Sequence, residues 1–76
     1  MPINRLKEIR LTRNMPQNEL AEKAGVTRMT LNRYERSEFL PSIDTALRLA
    51  RILGVTVQDI WSEDGREKEA EEISDK

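Results

Sequence analysis

Cysteine and histidine are both missing from this chain of 76 residues. Their absence removes disulfides, thiolate zinc sites, cysteine nucleophiles and imidazole bases in one step. Aromatic residues are scarce, at 4%, so any core has to be aliphatic and helices are favoured. No apolar run approaches the ~18 residues of a membrane span, and nothing resembles a signal peptide. A soluble, cytoplasmic protein is expected. No cofactor, metal or small-molecule site is visible. Carboxylate pairs exist, but each falls on an exposed helix surface with no pocket to raise a pKa, so no catalysis is expected.

Charge, by contrast, is plentiful: 36% of residues are Asp, Glu, Lys or Arg, for a net charge of −1. That small balance hides an asymmetry. Residues 1–62 hold ten Lys/Arg against seven Asp/Glu, whereas residues 63–76 hold three against seven. The length suits one domain with a small core. Residues 1–62 read as that domain, mildly basic, and residues 63–76 as an acidic, flexible tail. Mild basicity permits nucleic-acid binding without demonstrating it. A tail of this kind is a solvated end; its sharper readings are a DNA mimic that competes for the basic face, or a docking segment for a partner.

Five short helices are legible. The first is expected from about Asn4, as N-cap, to Arg13, with Asn14 suited to the left-handed position that ends a helix. Its apolar arc carries Ile3, Leu6 and Ile9, with Arg10 placed oddly inside it. "QNELAEKA" forms the second, with Leu20, Ala21 and Ala24 on one side and Gly25 behind it. In "GVTRMTLNRYER" Thr27 caps a third helix whose inward arc holds Thr30, Leu31 and Tyr34. Its opposite arc holds Arg28, Met29, Asn32 and Arg33. "SEFLPS" is a loop, because Leu40 precedes Pro41. Ser42 caps the fourth helix, "IDTALRLARIL", which closes at Gly54. Ile43, Ala46, Leu47, Leu49, Ala50 and Leu53 share one arc of it, the strongest amphipathic signal in the chain. Thr56 and Asp59 form a capping box for a last helix, "VQDIW". No strand-like alternation is present.

Residues 17–36 have the spacing of a helix-turn-helix. Apolar contacts fall at Leu20 and Ala24, and a small residue, Ala21, sits where the third helix crosses. Gly25 occupies the tight turn, Val26 plugs it, and Leu31 and Tyr34 seat the third helix. One of these features would mean little; together they are specific.

From "NRLKEIR" through "ELAEKAGVTRMTLNRYE" and "PSIDTALRLARILGV" to "DIW", about residues 4–61, the chain resembles the Cro and phage-repressor type of helix-turn-helix regulators. The resemblance implies an all-α, five-helix, lambda-repressor-like domain, with helix two across the DNA backbone and helix three in the major groove. It leaves no room for a second, effector-binding domain. It further implies a short stand-alone regulator, a homodimeric repressor of double-stranded DNA on an inverted repeat. The alternative from a different class is an antitoxin-like module whose main ligand is another protein.

By the same resemblance Arg10 pairs with Glu35 at the end of helix three, which would neutralise an otherwise costly buried charge; the rival is an Arg10 that snorkels to solvent or a phosphate. Gln17 matches the family glutamine that touches phosphate and braces helix three. Arg28, Met29, Asn32 and Arg33 match the base-reading positions. Arginine favours the O6/N7 edge of guanine and asparagine the N6/N7 edge of adenine, while Arg28 is as well placed for phosphate. Thr27 is mainly a cap that lies close to the backbone.

Departures from the family pattern fall at Met29, often glutamine, at Pro16, usually Ser or Thr, and in "ERSEFLPS", where the common form is "ENGKYNPS". Glu38 stands in place of a phosphate-holding lysine, and Arg36 is the candidate to compensate. Val57, Ile60 and Trp61 are too apolar for a free end; some fill the core, and the three are the candidates for a two-fold interface.

Overall fold

The computed structural model describes residues 2–63; Met1 and residues 64–76, nearly all of the acidic segment, lie outside the described residues. A strand β1 (Pro2–Asn4) is followed by helices α1 (Leu6–Thr12), α2 (Gln17–Ala24), α3 (Arg28–Glu35), α4 (Ile43–Leu53) and α5 (Val57–Ile60), and by a strand β2 (Trp61–Glu63).

Local chemistry sets most of these limits. The Thr27 and Ser42 hydroxyls accept from the amides of Thr30 and Thr45, at 3.0 and 3.3 Å, and so start α3 and α4. A reciprocal box starts α5: Asp59 N–H donates to the Thr56 hydroxyl at 3.1 Å, and Thr56 N–H to the Asp59 carboxylate at 2.9 Å. Helices α2 and α4 stop at Gly25 and Gly54, with φ of 76° and 74°. After each, the next amide reaches back across the turn, Val26 to the Ala21 carbonyl and Val55 to that of Ala50, both at 3.0 Å.

The two strands were not expected. They pair antiparallel, with Ile3 opposite Ser62 and Asn4 opposite Trp61. Ile3 therefore belongs to a strand, not to the apolar arc of α1, and Trp61 leaves α5 for β2. Helix α1 begins at Leu6 rather than next to Asn4. Asn4 still serves that helix, since its Oδ1 accepts from the Leu6 amide at 3.0 Å. Strand β2 also carries Glu63 across the boundary drawn at residue 62.

The core is aliphatic. Leu6, Leu20, Leu31, Leu49, Leu53 and Ile60 are buried, joined by Tyr34 and by the small side chains of Ala21, Ala24 and Ala50. Cutting any of those large side chains back to alanine costs about 2–5 kcal/mol. Only the C-terminal half of the α4 arc faces this core. Ile43 and Leu47, in its N-terminal half, are 77% and 51% exposed.

Candidate nucleic-acid interface

Helix α3 lies with Leu31 and Tyr34 in the core and Arg28, Met29 and Arg33 in solvent, while Asn32 and Thr30 are half-buried between the two sides. Four adjacent side chains of one helix thus form an accessible arc of two guanidinium groups, an amide and a thioether. Thr27 is occupied as a cap: its hydroxyl accepts from the Thr30 amide and donates to the Thr30 hydroxyl at 2.9 Å.

Behind that arc runs a chain of polar contacts from α1 to α3. The Arg10 Nε donates to Glu35 Oε2 at 2.6 Å, with only 7% and 2% of the two side chains exposed. A longer contact of 3.4 Å joins Nη2 to Oε1, and Nη1 donates to the Met15 carbonyl at 2.8 Å. Arg10 therefore does not reach solvent. Gln17, in the first turn of α2, uses one amino group twice: Nε2 donates to Glu35 Oε1 at 3.0 Å and to Asn32 Oδ1 at 3.1 Å.

In front of Gln17 and Asn32 opens a polar hollow of about 500 Å³, also lined by Lys7, Arg10, Asn18 and Arg28. Lys7 and Asn18 were absent from the expected site. Lys7 lies one turn before Arg10 and Asn18 follows Gln17, so a wheel drawn across α1 and α2 together would have found them.

The end of α3 has its own fixings. Ser37 takes φ of 62°, a left-handed value usually left to glycine. Asn4 Nδ2 donates to the Tyr34 carbonyl at 2.8 Å and to the Ser37 hydroxyl at 3.0 Å, which ties β1 to this turn. Beyond it the Glu38 carboxylate lies between two exposed guanidiniums, 3.4 Å from Arg36 and 3.8 Å from Arg33.

A helix capped at Thr27, crossed by α2 at Ala21 and open along a polar arc is the arrangement of a helix-turn-helix, and the Helix-turn-helix family model matches residues 6–60. The chain belongs to the helix-turn-helix family. Its five helices form a lambda-repressor-like DNA-binding fold, and the family is one of transcriptional regulators, not enzymes. An uncharacterised HTH-type transcriptional regulator of Methanocaldococcus jannaschii is 38% identical over 58 residues, covering 76% of this chain and 88% of that one. The immunity repressor of Bacillus phage phi105 is 40% identical over 65 residues, covering 86% of this chain and 45% of the repressor. Among solved structures, SinR, the master regulator for biofilm formation, in complex with DNA, matches with a TM-score of 0.65 and 36% identity, covering 71% of this chain and 87% of that one. Among the described residues, no helix of this helix-turn-helix protein is long and apolar enough to cross a membrane.

Val57, Ile60 and Trp61 divide between the core and its edge. Ile60 is 0% exposed, closed inside its own protomer by the core, and has no surface to offer a second copy. Val57 and Trp61 are half-buried and line an open apolar groove with Leu40, Pro41, Ile43 and Ala46.

Proposed function

We propose that this helix-turn-helix regulator is a homodimeric repressor that binds a short inverted repeat through the major groove. The outward arc of α3 carries this reading: two guanidiniums and a thioether are exposed, with a half-buried amide beside them, on a helix whose opposite side is locked by Leu31 and Tyr34. Arg28 and Arg33 supply bidentate donors for guanine edges, and Met29 an apolar contact for a thymine methyl. Lys7, Thr27 and Arg36 flank the arc as backbone contacts, which set register without reading sequence. Support comes from the SinR–DNA complex and the phage repressor, whose similarity spans this part of the chain.

The dimer contact falls to Val57 and Trp61, extended by Leu40 and Ile43, which are 65% and 77% exposed. An apolar patch of this kind is out of place on a monomer surface and suits association. Selection of bound fragments from a random DNA pool tests the reading, with sedimentation of the free protein beside it. The expected result is an inverted repeat with half-sites about one helical turn, ~34 Å, apart, and a species of twice the chain mass. Arg33→Ala and Asn32→Ala should each cost ~1–3 kcal/mol on the selected site. A protein that enriches no sequence and stays monomeric on DNA overturns the proposal.

A further inference from the structure

Glu38 sets a carboxylate between two guanidiniums at the edge of the proposed DNA face. We propose that Glu38 is a specificity-determining residue: it holds Arg33 back from the phosphates of unrelated DNA and leaves it able to read guanine. The inference rests on the DNA-reading role proposed above and assigns the residue that sharpens it.

The backbone puts the carboxylate there. Past the end of α3, Ser37 N–H donates to the Tyr34 carbonyl at 3.1 Å, and Glu38 N–H reaches back to the carbonyl of Arg33 itself at 3.0 Å. The φ of 62° at Ser37 makes that reversal, and Asn4 holds the turn from β1. Glu38 is thus bonded through its main chain to the residue that its side chain faces. Its two oxygens divide between the arginines: Oε1 is 3.8 Å from Arg33 Nε, and Oε2 is 3.4 Å from Arg36 Nε. In both pairs the closest approach is at Nε, and the Arg33 side chain stays 53% exposed.

A carboxylate so placed acts unequally on the two things that Arg33 can hold. Phosphate contact draws on net charge and the release of counterions. A guanidinium balanced by Glu38 has less of that to give, and a phosphate brought to it also meets the carboxylate. Guanine carries no charge; its N7 and O6 accept from two of the five N–H groups of the guanidinium. Contact at Nε leaves the four on the terminal nitrogens. On its own sequence Arg33 can keep Glu38 and take guanine together. On unrelated DNA, with no guanine in place, it has to give up Glu38 for a phosphate. A pair this exposed is worth no more than about fivefold, so Glu38 biases the choice without blocking binding. Arg36, on the other oxygen, meets the backbone in either mode and cancels from the comparison.

The test compares Glu38→Gln with wild type, as full chains, on the duplex selected from a random pool and on a scrambled duplex of equal length. Titrations run from about 0.05 to 0.2 M salt. Glutamine keeps the size and the backbone bonds, so a thermal melt should not move. Scrambled binding should tighten about tenfold at the low-salt end, with a salt slope steeper by about one phosphate contact than on the selected duplex. The selected duplex should gain at least about threefold less, so discrimination falls by that factor. In an Arg33→Ala background the same change should tighten both duplexes equally, because the residue that Glu38 acts through is gone. Equal gains in the intact chain, or a gap that survives Arg33→Ala, overturn the inference and leave DNA reading intact, with Glu38 acting as plain charge against DNA. A wild type that enriches no sequence overturns the DNA-reading role, and the inference with it.

Discussion

Removing either partner of the Arg10–Glu35 pair is expected to destabilise the domain severely, and the structure says why the loss is not shared. With 7% and 2% of the side chains exposed, neither charge can recover hydration when the other is cut away. In Arg10→Ala the Glu35 carboxylate keeps a single neutral donor, Gln17. In Glu35→Ala the guanidinium keeps a single neutral acceptor, the Met15 carbonyl. Breaking a buried pair by removing one member costs about 3–5 kcal/mol, a large part of the ~5–15 kcal/mol that holds a domain folded. The double variant buries no charge at all, so its cost should fall short of the sum of the singles by at least ~1 kcal/mol. Arg10→Met with Glu35→Leu, which restores apolar volume, should come back close to wild type. Urea unfolding followed by circular dichroism at neutral pH measures all four, with comparison of slopes to confirm that the unfolded states are alike. Singles that cost less than ~1 kcal/mol, or singles that add to the double within ~0.3–0.5 kcal/mol, would refute the reasoning.

Leu31→Ala, in a fully buried position, should lower stability by about 2–5 kcal/mol and weaken operator and scrambled DNA alike in paired titrations, because it loosens the whole of α3. Met29→Gln, on an exposed side chain, should leave the melt unchanged and move one selected base from thymine toward adenine. Ile43→Glu should leave the fold intact, since that residue is 77% exposed, and shift sedimentation from twice the chain mass to one. The Thr56 backbone amide, then its hydroxyl, hold the Asp59 carboxyl below its ordinary pKa. The folded value is the lower one, so this contribution is complete above the unfolded carboxylate pKa and lost as pH falls through the folded value. Asp59→Asn should flatten that part of an acid stability profile.

Where stabilising chemistry is local, the sequence displays it. Thr27, Ser42 and Thr56 each lie three residues before the amide they receive, and Gly25 and Gly54 mark left-handed positions, so α2, α3 and α4 have the limits that their caps dictate. The two strands had no such signal. Three residues are too few to show a period of two, and their pairing joins Ile3 to Ser62 across almost the whole described chain. The arc of α4 misled for another reason: it is wide, and its apolar residues do not all lie at the same angle. Ile43 and Leu47 lie about 120° or more around the helix from Leu49, on the far rim of the arc, and stay exposed. At the site, periodicity separates Leu31 and Tyr34 from Arg28, Met29 and Arg33. The hydrogen bonds from Gln17 to Asn32 and Glu35 join residues fifteen and eighteen positions apart, and no spacing rule carries that.

The strand clasp bears on the order in which this protein becomes functional. The contacts of α2 with α3 are close in sequence and can form early, whereas β1 with β2 closes the longest loop in the described chain and has to wait for residues 61–63. Asn4 occupies a paired position in that clasp, opposite Trp61, and donates to the last turn of α3 at Tyr34 and to Ser37 just after it. During synthesis α3 is therefore made well before β2, and its far end gains this anchor only when the second strand emerges. A nascent chain stopped before Trp61 would hold all of α3, with the arc proposed to read DNA, while lacking the fastening that sets where that helix ends.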